Sequence, residues 1–163
     1  MHSLNRQRTA SIEVIQYGDY ECLECGRAAI TLRSLRQRFH QQIRFSFRHF
    51  PLASIHPHAT QAAEAAECAR TQGQFWKMHE LLMSNQDRLE LQHLYDYAEQ
   101  TGLDMARFDT EMEDEVYLPI IHSQMAGGIA SGVISTPGFL VDGILVDSSS
   151  GLRALYEATE IAI

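Results

Sequence analysis

The chain has 163 residues, 45% of them hydrophobic and 21% charged, which suits one globular domain with a proper core, or a small domain carrying a sizeable insertion. Its 21 acidic against 13 basic residues give a net charge of −8, a balance that repels phosphate backbones and anionic lipid and argues against nucleic-acid and membrane-surface binding. No apolar run reaches the length of a membrane span, so no membrane insertion is expected, and no hydrophobic stretch follows the basic residues 1–9; the expectation is a cytoplasmic protein, or a periplasmic or otherwise extracytoplasmic one had a signal peptide been removed.

Residues 11–17 are short, β-branched and mostly apolar, the pattern of a strand buried on both faces. Gly18 to Glu21 break it. A helix is expected over 26–40, with Ala28, Leu32, Leu35 and Phe39 as its apolar stripe and Arg33, Arg36 and Arg38 towards water. Ile43, Phe45 and Phe47 then alternate with Arg44, Ser46 and Arg48, as in a strand. From about 57 to 133 the chain reads as helical. The expected segments are 58–71, with Pro57 at a first helical position, 75–83, 91–101 stopped by Gly102, a short helix capped by Asp104 through Phe108, and a last one ending at Gly127-Gly128 or Gly132. The acidic run 111–115 reads as a solvated face. Apolar residues 139–141 and 144–146 flank Asp142-Gly143, a hairpin signal. Ser148, Ser149 and Ser150 can cap a closing helix carrying Leu152, Leu155 and Tyr156.

The order is therefore βαβ, a helical block, then ββα. Cys22-Leu23-Glu24-Cys25 falls where the first strand meets the first helix. That placement is chemically useful. A thiolate is the nucleophile of disulfide exchange, and a helix N-terminus stabilises it through free N–H groups and the macrodipole. A partner three residues on can resolve a mixed disulfide. Cys22 is the expected nucleophile and Cys25 the sheltered resolver. The same spacing serves as half a zinc site, but Cys68, His49, His56, His58 and His79 supply no second pair at ligand spacing; no metal is expected. Cys68, in an alanine-rich segment, reads as a small packed hydrophobe, and Phe75, Trp76 and Met78 as core or groove lining. Thr136-Pro137, after the helical block and before the hairpin, alone reads as a turn marker at a strand entry; in a thioredoxin-type fold, which this order of elements resembles, a loop so placed lies against the dithiol and can pair with an extended substrate.

The stretch Tyr17-Gly18-Asp19-Tyr20-Glu21-Cys22-Leu23-Glu24-Cys25-Gly26 resembles the active-site segment of DsbA-like thioredoxin-fold proteins. So do Arg48-His49-Phe50-Pro51-Leu52, His56-Pro57-His58-Ala59, Gln72-Gly73-Gln74-Phe75-Trp76 and Gly102-Leu103-Asp104. The resemblance is closest to the DsbA-like domains also found attached to sodium/proton antiporters. It implies an α/β thioredoxin fold (βαβ…ββα) interrupted by an all-α insertion, with 10–52 and 135–163 as the thioredoxin-like core and 53–134 as the insertion, in one compact unit. It also implies Cys22 as nucleophile, Cys25 as resolver, Pro137 in cis, and a substrate-binding role for Thr136 and Pro137. No cofactor is implied beyond the redox-active Cys22–Cys25 disulfide. The implied partners are protein thiols and disulfides, or a glutathione- or thioredoxin-type reductant. Three further readings stand beside exchange: a zinc-binding or redox-sensing module on the same cysteines, a glutathione-dependent transferase or isomerase, against which Cys25 counts, and a non-catalytic interaction domain whose dithiol cannot cycle.

The sequence departs from that pattern in ways that bear on redox poise. Glu24 inside the motif, with Asp19 and Glu21 just before it, is expected to raise the Cys22 pKa and move the couple towards thioredoxin and away from a strongly oxidising DsbA. Gln16 stands where the family often has a carboxylate, and a neutral amide cannot shuttle a proton to Cys25.

Overall fold

The computed structural model describes residues 11–146, 153, 155–157 and 160. Four strands form one sheet in the order β2-β1-β3-β4: β1 Ile12–Gly18, β2 Ile43–His49, β3 Gly138–Val141 and β4 Ile144–Val146. The β1–β2 pair is parallel, with Val14 opposite Phe45, and its crossover is helix α1, Leu23–Arg38. The β1–β3 and β3–β4 pairs are antiparallel. Asp142 and Gly143 make the β3–β4 turn with φ of 47° and 79°, the left-handed pair that a tight hairpin requires.

Between β2 and β3 lie five helices: α2 Ala59–Thr71, α3 Phe75–Ser84, α4 Leu91–Gln100, α5 Met105–Glu113 and α6 Leu118–Ala130. The fold is thus α/β, a thioredoxin-type βαβ…ββα core interrupted by an all-α block. Helix α1 begins at Leu23, earlier than its apolar stripe alone indicates, because Cys22 serves as its N-cap. Helix α5 runs on to Glu113, past Phe108, because the acidic run continues its first turns. Pro57 stays outside α2, whose N-cap is His58. Of the closing helix expected after Ser150, residues 148–152 lie outside the described residues; Leu155 and Tyr156 are helical.

Alternation along β1 divides the core into layers. Ile12 and Val14 pack with Ala28, Leu32 and Leu35 of α1 and with Phe139, Val141 and Leu155. Ile15 and Tyr17 face the other way, onto Phe50, Val133 and Leu140. The largest cluster joins the insertion to the motif: Tyr20, Cys22, Cys25 and Phe47 pack with Ala62, Ala66, Met78, Leu82, Leu94 and Phe108. Burying each of the large apolar side chains there contributes about 1.5–3 kcal/mol. Seated on that cluster, the helical block closes over the sheet end that carries the cysteines.

Candidate active site

β1 ends at Gly18 and the chain turns through Asp19–Glu21 before α1 starts. Asp19 organises the turn. Its side chain is fully buried, and its carboxylate accepts from Glu21 N–H at 2.8 Å, Leu52 N–H at 2.8 Å and His56 Nδ1 at 2.8 Å. One buried carboxylate thereby ties the approach to Cys22 to the loop that follows β2. The Glu21 carboxylate accepts from His58 N–H at 2.8 Å, where the positive end of α2 favours it. Glu24 is exposed and pairs with Arg27 one turn along α1.

Cys22 caps α1 with φ −75° and ψ 116°, and its Sγ accepts the Cys25 N–H at 3.3 Å. A thiol here does the work usually done by a serine or aspartate N-cap. Cys22 is 8% exposed and Cys25 0%. The carbonyl oxygen of Thr136 lies 3.5 Å from Cys22 Sγ, across 114 positions of sequence, and can accept from the protonated thiol. The Thr136–Pro137 peptide is cis. Thus Cys22, Cys25 and Thr136-Pro137 meet at one place. Among the described residues no three His, Cys, Asp or Glu gather to hold a metal.

Environment separates the two thiols. Cys22 is lowered from 9.0 to about 6, first by a hydrogen bond from the Cys25 thiol. Bonds from Thr136 and from the Cys25 N–H act the same way, while burial and the Asp19 charge oppose them. Cys25 is pushed up strongly, chiefly by burial and then by its bond to Cys22. The carboxylates therefore do not set the direction for Cys22, contrary to what their closeness in sequence suggests. Glu24 is neutralised by Arg27, Glu21 is spent at α2, and only Asp19 acts against the thiolate.

Cys68 is fully buried and raised by burial and by the charge of the Glu111 carboxylate. Glu111 is therefore not part of a solvated face: Arg107 Nε donates to it at 2.7 Å and its Oε2 is buried. Gln16 is 1% exposed, and its Nε2 has no hydrogen-bond partner among the described residues.

The structure also makes contacts that no sequence pattern indicates. His49 Nε2 and Glu67 Oε1 are 2.8 Å apart in the core, and Arg70 Nε donates to Glu67 Oε1 at 3.0 Å. Tyr20 OH and His79 Nδ1 are 3.0 Å apart, also buried. Gln86 donates to the carbonyls of Tyr20 and Cys22. Apart from Arg70 and Glu67, one turn apart on α2, these partners are 18 to 66 positions apart, beyond the reach of local periodicity.

A four-stranded βαβ…ββα sheet, a helical insertion and a C-x-x-C pair capping the first helix define a thioredoxin-fold protein of the dithiol kind. The thioredoxin family matches residues 7–160, and the chain belongs to it. A sodium/proton antiporter, NhaA 1 of Salinispora arenicola, is 41% identical over 155 residues, covering 95% of this chain and 24% of that protein. The NhaA antiporter of Herminiimonas arsenicoxydans is 34% identical over 93% of this chain and 23% of that protein. The chain thus spans about a quarter of the length of these relatives. Among solved structures, a thioredoxin-like oxidoreductase from Silicibacter pomeroyi superposes with a TM-score of 0.81 at 27% identity, covering 94% of this chain and 87% of that one. BdbD of Bacillus subtilis superposes with a TM-score of 0.81 at 19% identity, covering 96% and 89%. The neighbours include DsbA-like thiol–disulfide oxidoreductases.

Proposed function

We propose that the protein is a DsbA-like thiol–disulfide oxidoreductase that exchanges a Cys22–Cys25 dithiol or disulfide with protein or small-thiol substrates. The observation that carries this reading is the unequal pair: Cys22 at the N-terminus of α1, lowered to about 6, beside a buried Cys25 that stays protonated. In the reducing direction, the Cys22 thiolate attacks one sulfur of a substrate disulfide. A Cys22–substrate bond forms, the substrate S–S bond breaks, and the departing thiolate takes a proton. Cys25 then loses its proton and attacks Cys22 Sγ, forming the internal disulfide and releasing the second substrate thiol. Two electrons have passed to the substrate, and oxidation of a substrate dithiol is the reverse. The sulfurs themselves carry the electrons, so the reaction needs no further cofactor. Backbone groups at Thr136 offer an extended substrate segment a place to pair as it approaches Sγ.

No described helix is long and apolar enough to cross a membrane, and we assign the ion transport named for the antiporter relatives to the three quarters of them that this chain does not match. The test is a pair of single variants in a disulfide-reduction assay. Cys22→Ser is expected to abolish exchange, whereas Cys25→Ser is expected to accumulate mixed disulfides mapped to Cys22. Turnover retained in both variants would remove this reading.

A further inference from the structure

Gln86 stands in the turn joining α3 to α4, 64 positions from Cys22. Its side-chain amide donates to the carbonyl of Tyr20 at 3.0 Å and to that of Cys22 at 2.7 Å. The Cys22 carbonyl also accepts the Gly26 N–H at 3.1 Å, and the Cys22 N–H donates to the Asp19 carbonyl at 3.2 Å. The peptide leaving Cys22 is therefore held from within α1 and from the insertion at once. The conformation so fixed is the one in which Sγ meets the Cys25 N–H.

The amide is itself held in place. Arg88 N–H donates to the Asn85 carbonyl at 2.9 Å, Asn85 Nδ2 to the Leu81 carbonyl at 2.8 Å, and Tyr97 OH to the Arg88 carbonyl at 2.7 Å. Leu89, just beyond, is 1% exposed. A second observation comes from α1. A Cβ on Gly26 would lie 2.1 Å from Gln86 Oε1. Glycine is a poor helix former, and here it vacates the space that the amide fills.

The geometry points to Gln86 as a positioning residue for the dithiol: the insertion uses it to fix the Cys22 carbonyl, and through it the thiolate against the first amides of α1. This rests on the exchange reading above. Without the amide, the first turn of α1 loses an anchor, Sγ drifts from the Cys25 N–H, and the thiolate is less stabilised.

The experiment compares the wild-type protein with Gln86→Met, which keeps length and packing but donates nothing, with Gly26→Ala, and with the double variant. The readout is the pH midpoint of Cys22 thiolate formation, followed by absorbance and by the alkylation rate, with urea unfolding measured in parallel. Q86M is expected to raise the midpoint by about one pH unit, a roughly tenfold loss of thiolate on the acid side. G26A is expected to do the same, because the new methyl displaces the flexible amide. The double variant is expected to be no worse than either single one, since both act on one contact. A Q86M protein that loses stability but keeps the wild-type midpoint would overturn the inference, as would effects of the two substitutions that add. Q86L carries the same test if Q86M does not fold. Failure of the exchange reading would appear instead in the wild-type protein, as an absence of disulfide exchange.

Discussion

Removing the buried thiol offers a quantitative test of what holds Cys22 as a thiolate. The largest influence lowering Cys22 from 9.0 to about 6 is the hydrogen bond from Cys25. Cys25→Ala deletes that donor but leaves the residue-25 N–H and Thr136, so the Cys22 midpoint should rise to about 8, short of its unperturbed value. The lost sulfur leaves a small cavity at a fully buried site, costing roughly 1 kcal/mol, so the fold should survive. Two opposing effects then act on the rate with a small aromatic disulfide. At pH 5 the thiolate fraction falls about 90-fold, from roughly 0.09 to roughly 0.001. A more basic thiolate is also a better nucleophile, and with a Brønsted coefficient of about 0.45 a rise of two pH units in the midpoint is worth about eightfold. The variant should therefore react about tenfold more slowly at pH 5, about sevenfold faster at pH 9, and cross the wild-type profile near pH 7. Stopped-flow release of the aromatic thiol measures this directly, because the variant stops at the mixed disulfide. Coincident profiles at every pH would show that the backbone amides alone hold the thiolate, and the role given to Cys25 would be wrong.

Other expectations concern the scaffold. Cys68, fully buried and raised by burial, should resist alkylation until the protein unfolds, and Cys68→Ala should leave exchange unchanged; native-state labelling of Cys68 would contradict its packing role. Glu67 lies 2.8 Å from His49, with both side chains buried; burial holds His49 below its ordinary value, so Glu67→Gln weakens a buried hydrogen bond rather than stranding a charge and should cost about 1–2 kcal/mol in urea unfolding. A loss below about 1 kcal/mol would show that Arg70 and His49 find other partners. Burial raises Glu64 from 4.5 to about 7. Its favourable contribution is therefore present in full below pH 4.5 and lost as pH rises through 7. Glu64→Gln should stabilise the protein by about 1–2 kcal/mol at pH 8 and by little at pH 5. Equal effects at the two pH values would contradict the burial.

The strands were legible because their chemistry is local. Ile12, Val14 and Ile15 are β-branched, and Asp142-Gly143 supplies the two left-handed residues its turn needs. The placement of Cys22 and Cys25 was legible for the same reason: a strand, a turn and a helix follow one another without interruption. Local reading failed where hydrogen bonds cross the fold. Asp19, Glu21 and Glu24 look like three charges crowding one thiol, yet they are engaged by His56, by the N-terminus of α2 and by Arg27 respectively. Helix α1 starts at Leu23, ahead of the expected 26, because Cys22 is an unusual N-cap. The acidic run after Phe108 is solvated at Glu113, Asp114 and Glu115, as its composition indicates, and of its carboxylates only Glu111 turns inwards, held by Arg107. Gln86 carries no signal at all in sequence; its amide gains meaning only when the insertion folds back over Tyr20 and Cys22.

The central claim is that Cys22 and Cys25 form a reversible couple, and its reduction potential tests that claim most directly. With Cys22 at about 6 against about 7 in thioredoxin, the reduced form gains a roughly fivefold thiolate advantage at pH 7, worth about 20 mV. Equilibration in glutathione buffers, with thiols counted by mass, should give a single two-electron transition near −250 mV, slightly above thioredoxin and well below DsbA. That transition should form a Cys22–Cys25 disulfide and leave Cys68 a thiol throughout. No internal disulfide at any poise, or one that engages Cys68, would contradict the account.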